Sequence, residues 1–160
     1  MNITDLLVMR ILIVDDKIEN INVLEDMLAR EGFSNVVSTT DSRRTLDLVT
    51  AFDPDLILLD LMMPDLDGFA VLEQLSKRTS SDEFRPVMVL SADVTQEAKR
   101  RALSLGAKDF LTKPFDLIET LLRISNLLET CLLYKRLKNL ASAEMPLPIW
   151  AKNEYQKTGK

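Results

Sequence analysis

The stretch "ILIVDDK", residues 11–17, decides how this chain is read. Four consecutive apolar residues, three of them β-branched, suit a strand buried on both faces, and they run directly into two adjacent aspartates. Asp15 and Asp16 repel each other: two like charges about 4 Å apart cost roughly 1 to 4 kcal/mol, according to how well water screens them. A strand that delivers such a pair to its end needs something there to compensate it.

Working outward, similar runs recur as NVVS (35–38), LILL (56–59), VMVL (87–90) and DFL (109–111), which makes five strands. Helical spacing fills the intervals: Ile21, Leu24 and Leu28; Leu46 and Val49; Leu72 and Leu75; Ala98, Ala102 and Leu105. Gly32 and Gly106 each follow a helical stretch, where a left-handed residue ends the helix. Asp93 with Gln96, and Asp116 with Glu119, have the spacing of helix N-caps and their partners. Strands apolar on both faces belong in a parallel sheet covered by helices, and right-handed crossovers place those helices on both sides. The expected fold is α/β, a doubly wound (βα)5 three-layer sandwich around a five-stranded parallel sheet.

Composition narrows the function. At 160 residues, 46% hydrophobic and 28% charged, the chain suits one globular domain with a modest appendage, and no apolar run approaches a membrane span. The start, MNITDLLVMR, lacks the basic opening of a secretory signal, so a cytoplasmic, membrane-free protein is expected. The single cysteine, Cys131, is read as a packing residue of a helix. A net charge of −5 argues against a nucleic-acid partner, which requires a cationic surface. The sequence contains no histidine, so any imidazole in its chemistry comes from elsewhere.

In open sheets of this kind, ligands bind beyond the carboxyl ends of the strands. Asp15 and Asp16 end the first strand, Asp60 the third and Ser91 the fourth, while Lys113 follows the fifth. Taken singly, each has an ordinary explanation: a helix cap for the aspartates, a cap or turn for Ser91, a solvated surface residue for Lys113. Their coincidence on one edge favours a shared role. Three carboxylates together call for a hard dication, and Mg2+ is the usual choice where few carboxylates, waters and a phosphate share the coordination. Asp60 then has the chemistry of a nucleophile toward a phosphoryl group, with Lys113 as the fixed ammonium and Ser91 as the hydroxyl donor.

The chain resembles the receiver domain of two-component response regulators. The resemblance is carried by "ILIVDDK", "PDLILLDLMMPDLDGF", "PVMVLSA" and "GAKDFLTKPF", in that order, over about residues 9–130. It implies a flavodoxin-like strand order 2-1-3-4-5 and an aspartate phosphorylated by a histidine kinase or histidine phosphotransfer protein. By position, Asp60 is similar to the phosphoacceptor, Asp16 to the direct metal ligand and Asp15 to its assistant through water. The backbone carbonyl of Met62 is implied as a further metal ligand. Ser91 and Phe110 resemble the switch pair, Lys113 the phosphate-pairing lysine, and Pro114 a proline after a cis peptide; Pro64 and Gly68 shape the loop after Asp60. The chain is then no enzyme toward other substrates and catalyses only its own phosphorylation and dephosphorylation. Two alternatives remain. A Mg2+-dependent phosphatase with an aspartyl nucleophile would need an acid/base carboxylate where Met62 stands, and a receiver-like adaptor would work without phosphorylation.

Past the fifth strand, Leu117, Leu121, Ile124, Leu128 and Cys131 keep helical spacing, and Tyr134, Leu137 and Leu140 extend the stripe. The domain surface needs about four turns of helix, so residues beyond about 129 are expected to project and to make a homodimer contact, the alternative being a helix folded back on its own domain. The expected organisation is an N-terminal segment (1–8), a receiver domain (9–129) and an extended C-terminal helix with a tail (130–160). That tail, with Pro146, Pro148 and Trp150, is too short for an output domain.

Overall fold

The apolar runs form five strands, β1 (Arg10–Val14), β2 (Asn35–Thr39), β3 (Leu56–Asp60), β4 (Val87–Ser91) and β5 (Asp109–Thr112). They pair in parallel in the order β2-β1-β3-β4-β5. Six α-helices accompany them among the described residues: α1 (Ile3–Leu7), α2 (Ile18–Arg30), α3 (Thr45–Phe52), α4 (Gly68–Arg78), α5 (Gln96–Ser104) and α6 (Leu117–Ser142). This computed structural model describes residues 2–80, 83–93, 95–114 and 116–142, apart from the side chain of residue 142. Pro146, Pro148 and Trp150 lie outside the described residues.

Strand alternation sorts the core into two layers. Ile11, Ile13, Leu56, Leu58, Met88 and Leu90 face one side and pack with Leu24 and Leu28 of α2 and Ile124 and Leu128 of α6. Their neighbours Leu12, Val14, Ile57, Leu59, Val87 and Val89 face the other side, against Val49 of α3, Leu72 of α4 and Ala102 of α5. A run with no polar residue is what a strand needs when helices cover both its faces. The central strands β3 and β4 are buried throughout, whereas β2, at the edge, is partly exposed.

Local signals hold in most places. Gly32 and Gly106 take φ of 96° and 105°, the left-handed region expected after a helix. Asp116 accepts a hydrogen bond from the Glu119 amide at 2.9 Å, as a cap should. At α5 the cap is Thr95, which accepts from the Ala98 amide, and Asp93 instead accepts from the Thr95 amide. Asp93 thus shapes the turn before the helix.

Helix α1 has no counterpart in the sequence reading. Its Leu6 is buried, and Asp5 pairs with Arg136 of α6 at 3.0 Å. Contacts between α6 and the domain continue well along its 26 residues. Cys131 is buried and donates to the Asp55 carbonyl at 3.4 Å; burial first, and then the Asp55 charge, push its thiol up to about 12. Lys135 pairs with the Asp55 carboxylate, and Tyr134 packs its ring 5.8 Å from that of Phe84. Leu133, Leu137 and Leu140 remain exposed. Among the described residues, no helix is long and apolar enough to cross a membrane.

Candidate functional site

The chain leaves β1 toward β2 on one side and returns to β3 on the other, so the strand order reverses at this pair. A crevice forms at such a point beyond the strand ends. Val14 and Leu59 are register partners there, which brings the residues that follow them, Asp15 and Asp60, side by side. One carboxylate oxygen from each of Asp15, Asp16 and Asp60 lies within 4.8 Å of the others. The convergence inferred from the sequence is therefore present in the structure.

The three carboxylates differ in how they are held. Asp15, 2% exposed, has its amide bonded to the Thr39 carbonyl at 3.2 Å. Its Oδ1 accepts from the Lys17 amide at 3.0 Å and its Oδ2 from Lys113 Nζ at 2.8 Å, while the Asn20 carboxamide donates to both oxygens, at 3.3 and 3.1 Å. Asp15 is thus no N-cap side chain in the usual position: the N-cap of α2 is Lys17, whose side chain caps nothing. Asp16 presents the opposite case, since its Oδ1 is buried with no hydrogen-bond partner among the described residues.

Asp60 is 4% exposed and accepts from the Met62 amide at 3.3 Å. Lys113 Nζ lies 3.5 Å from its Oδ1, farther than from Asp15. Burial first, and then the Asp15 charge, raise the Asp60 carboxyl to about 6, with Asp16 adding to the rise and Lys113 and the Met62 amide opposing it. Three carboxylates against one ammonium leave the cluster negative, with an orphaned buried oxygen aboard. Such an oxygen is costly unless something positive meets it, so the donor set fits a hard divalent cation.

Backbone contacts place the remaining residues. The Lys113 amide donates to the Ser91 carbonyl at 2.8 Å, joining the end of β4 to the loop after β5, and the Lys113–Pro114 peptide is cis as the resemblance implies. Ser91 is fully buried and its Oγ accepts from the Asp93 amide at 3.1 Å. Phe110 is not gathered into the charged cluster; its ring packs in the core beneath α5 with Val89 and Ala102. Met62 is 59% exposed beside Asp60 and, with Lys17, Asn20 and Lys113, borders a cleft of about 530 Å³. Gly68 opens α4 directly against the end of β3, where a Cβ would collide with the Asp60 carbonyl and the Leu61 Cα.

The sequence reading missed Asn20 and the Met62 amide. A signal for Asn20 existed: a poor helix former stands in the first turn of α2, four residues after Asp16. Nothing in a sequence reports a backbone amide's aim.

Comparison with known proteins agrees with this fold. A family model described as the response regulator receiver domain matches residues 11–125. Response regulator GtcR of Aneurinibacillus migulanus is 39% identical over 114 residues, covering 71% of this chain and 45% of that protein. Cell cycle transcriptional regulator CtrA of Caulobacter vibrioides is 38% identical over 116 residues, 72% of this chain and 48% of that protein. The chain therefore spans about half the length of the curated relatives it matches. Among solved structures, the receiver domain of the Francisella response regulator 1452 aligns with a TM-score of 0.69 at 30% identity, over 76% of this chain and 97% of that one.

Proposed function

This chain belongs to the response regulator receiver domain family, and on that premise we propose that it is a phosphoacceptor whose Asp60 takes a phosphoryl group from a phosphohistidine of a histidine kinase or histidine phosphotransfer protein. The observation that carries the reading is the Asp60 carboxylate, almost inaccessible, 3.5 Å from the Lys113 ammonium and grouped with two further carboxylates. The donor imidazole has to be external, because the chain has no histidine.

The chemistry proposed is a single displacement. An Asp60 oxygen attacks phosphorus, the P–O bond forms as the P–N bond breaks, and the imidazole departs, taking a proton from solvent. With its carboxyl near 6, Asp60 is mostly ionised at neutral pH and ready to attack. Lys113 moves from Asp15 toward the incoming phosphoryl oxygens, and Ser91 turns its hydroxyl from the Asp93 amide to donate to them. Asp15, Asp16 and Asp60, with the Met62 carbonyl, are the groups proposed to hold Mg2+. Bound there, the ion neutralises the clustered carboxylates and the charge on the phosphoryl group. The displacement of Ser91 frees room for Phe110 to change rotamer and alter a protein-interaction surface. A full switch of that kind needs about 5.5 kcal/mol of differential stabilisation, within reach of a few charge-assisted bonds.

The reading keeps the chain's catalysis confined to its own acyl phosphate. The stripe of Leu133, Leu137 and Leu140 supports a second copy of the chain as a further partner, through α6. The test is incubation with acetyl phosphate, with and without Mg2+, followed by intact-mass measurement. One phosphoryl adduct that requires both Mg2+ and Asp60 is expected. An adduct that survives Asp60→Asn, or none in the presence of Mg2+, overturns the reading.

A further inference from the structure

Asp15 and Asp16 are neighbours in sequence and opposites in bonding. A carboxylate offers about four lone-pair sites. On Asp15 all are taken: the Lys17 amide and the Asn20 carboxamide on Oδ1, the same carboxamide and Lys113 Nζ on Oδ2. On Asp16, Oδ1 has no partner among the described residues. Lys113 is shared, lying 3.5 Å from Asp60 as well, so its hold on Asp15 is released if it is drawn to a charge developing there. The Lys17 amide holds one oxygen only. Among the described residues, Asn20 is the one side chain whose donor reaches both oxygens, and it stands on a helix anchored in the core by Ile21 and Leu24.

We propose that Asn20 is a positioning residue of the cation site: it fixes the Asp15 carboxylate in one rotamer so that the carboxylate cluster is preorganised for the metal, with Asp16 left open to meet it. The inference rests on the phosphoacceptor reading and deepens it. Partners that orient a ligating carboxylate without touching the ion govern affinity, because without them the carboxylate must be ordered when the metal arrives. The competing explanation is that Asn20 merely fastens the start of α2 to the strand end. That role would show in folding and not in metal affinity.

The test is calorimetric titration of Mg2+ into the whole chain, as wild type, Asn20→Ala and Asn20→Leu. Alanine favours the helix and leucine keeps the branching at Cγ without the donor, so a folding defect in one leaves the other to read. A loss of about tenfold or more in Mg2+ affinity is expected in both. In parallel, the Mg2+ concentration that half-saturates phosphorylation by acetyl phosphate should rise in step, while the rate at saturating Mg2+ recovers toward that of the wild type. Wild-type affinity in either folded variant overturns the role of Asn20 and leaves the phosphoacceptor reading standing. So does a fall in the saturating rate with affinity unchanged. A wild type that binds no Mg2+ overturns both.

Discussion

Replacing Asp60 by asparagine should strengthen the fold at alkaline pH, at the expense of the function proposed for it. Burial and the neighbouring Asp15 raise the Asp60 carboxyl from 3.8 to about 6, so the folded chain holds that proton more tightly than the unfolded chain does. The stability tied to the protonated form is fully present below about pH 4 and is lost as pH rises through about 6. A shift of about two units, at roughly 1.4 kcal/mol each, makes the ionised carboxylate cost the fold about 3 kcal/mol well above pH 6 in the absence of metal. That cost is already net of the attraction to Lys113, 3.5 Å away; asparagine keeps the shape and discards the charge, but its carboxamide brings N–H donors that a protonated carboxyl lacks into a site that already holds an ammonium. The expected gain is therefore about 1–3 kcal/mol, which for a chain of this size raises Tm by about 2–12 °C. Urea unfolding in chelator, run at pH 8 and at pH 4 on both proteins, measures it. The gain should be present at pH 8 and largely absent at pH 4, where Asp60 is protonated anyway. No gain at pH 8, or an equal gain at both, refutes the electrostatic reasoning.

Other outcomes follow from separate parts of the molecule. Gly68→Ala puts a Cβ against the Asp60 carbonyl and the Leu61 Cα, so a loss of about 1–3 kcal/mol by urea unfolding is expected, together with slower phosphorylation; wild-type stability would mean the helix start yields freely. Met62 offers no group to guide an attacking water beside Asp60, so the acyl phosphate should persist for minutes or longer when followed by intact mass, and a half-life of seconds would contradict this. Lys135→Ala leaves the buried Asp55 carboxylate with only the Arg10 amide as donor among the described residues. Because Lys135 is itself well exposed, the loss should be about 1–2 kcal/mol, with faster hydrogen exchange along the last turns of α6. Unchanged exchange there would show that the pair does not fasten the helix.

The strands were legible because burial on both faces leaves an unmistakable mark: runs such as LILL have no polar residue to misplace. The polar residues that end those runs were legible for the same reason, and Asp15, Asp16, Asp60 and Lys113 do meet. What sequence could not convey is how the donors are apportioned. That Lys113 lies nearer Asp15 than Asp60, and that among the described residues Asp16 alone has a buried oxygen without a partner, depends on fractions of an ångström set by backbone hydrogen bonds. The α5 cap illustrates the same limit, since Asp93 and Thr95 are both good capping residues two positions apart and only the backbone decides between them. Helix α1 has five residues, too few for a periodicity to appear. The length of α6 was readable from its stripe, whereas the Asp55 and Asp5 carboxylates that hold it come from distant parts of the chain.

The most direct trial of the phosphoacceptor claim is chemical mapping of the modified residue. Protein treated with acetyl phosphate and Mg2+ is reduced with borohydride, which converts an aspartyl phosphate to homoserine, then digested and sequenced by mass spectrometry. Homoserine at position 60, and at none of the other aspartates, is the predicted result. Homoserine at Asp15 or Asp16, or an unmodified Asp60 in a protein that binds the metal, would contradict it.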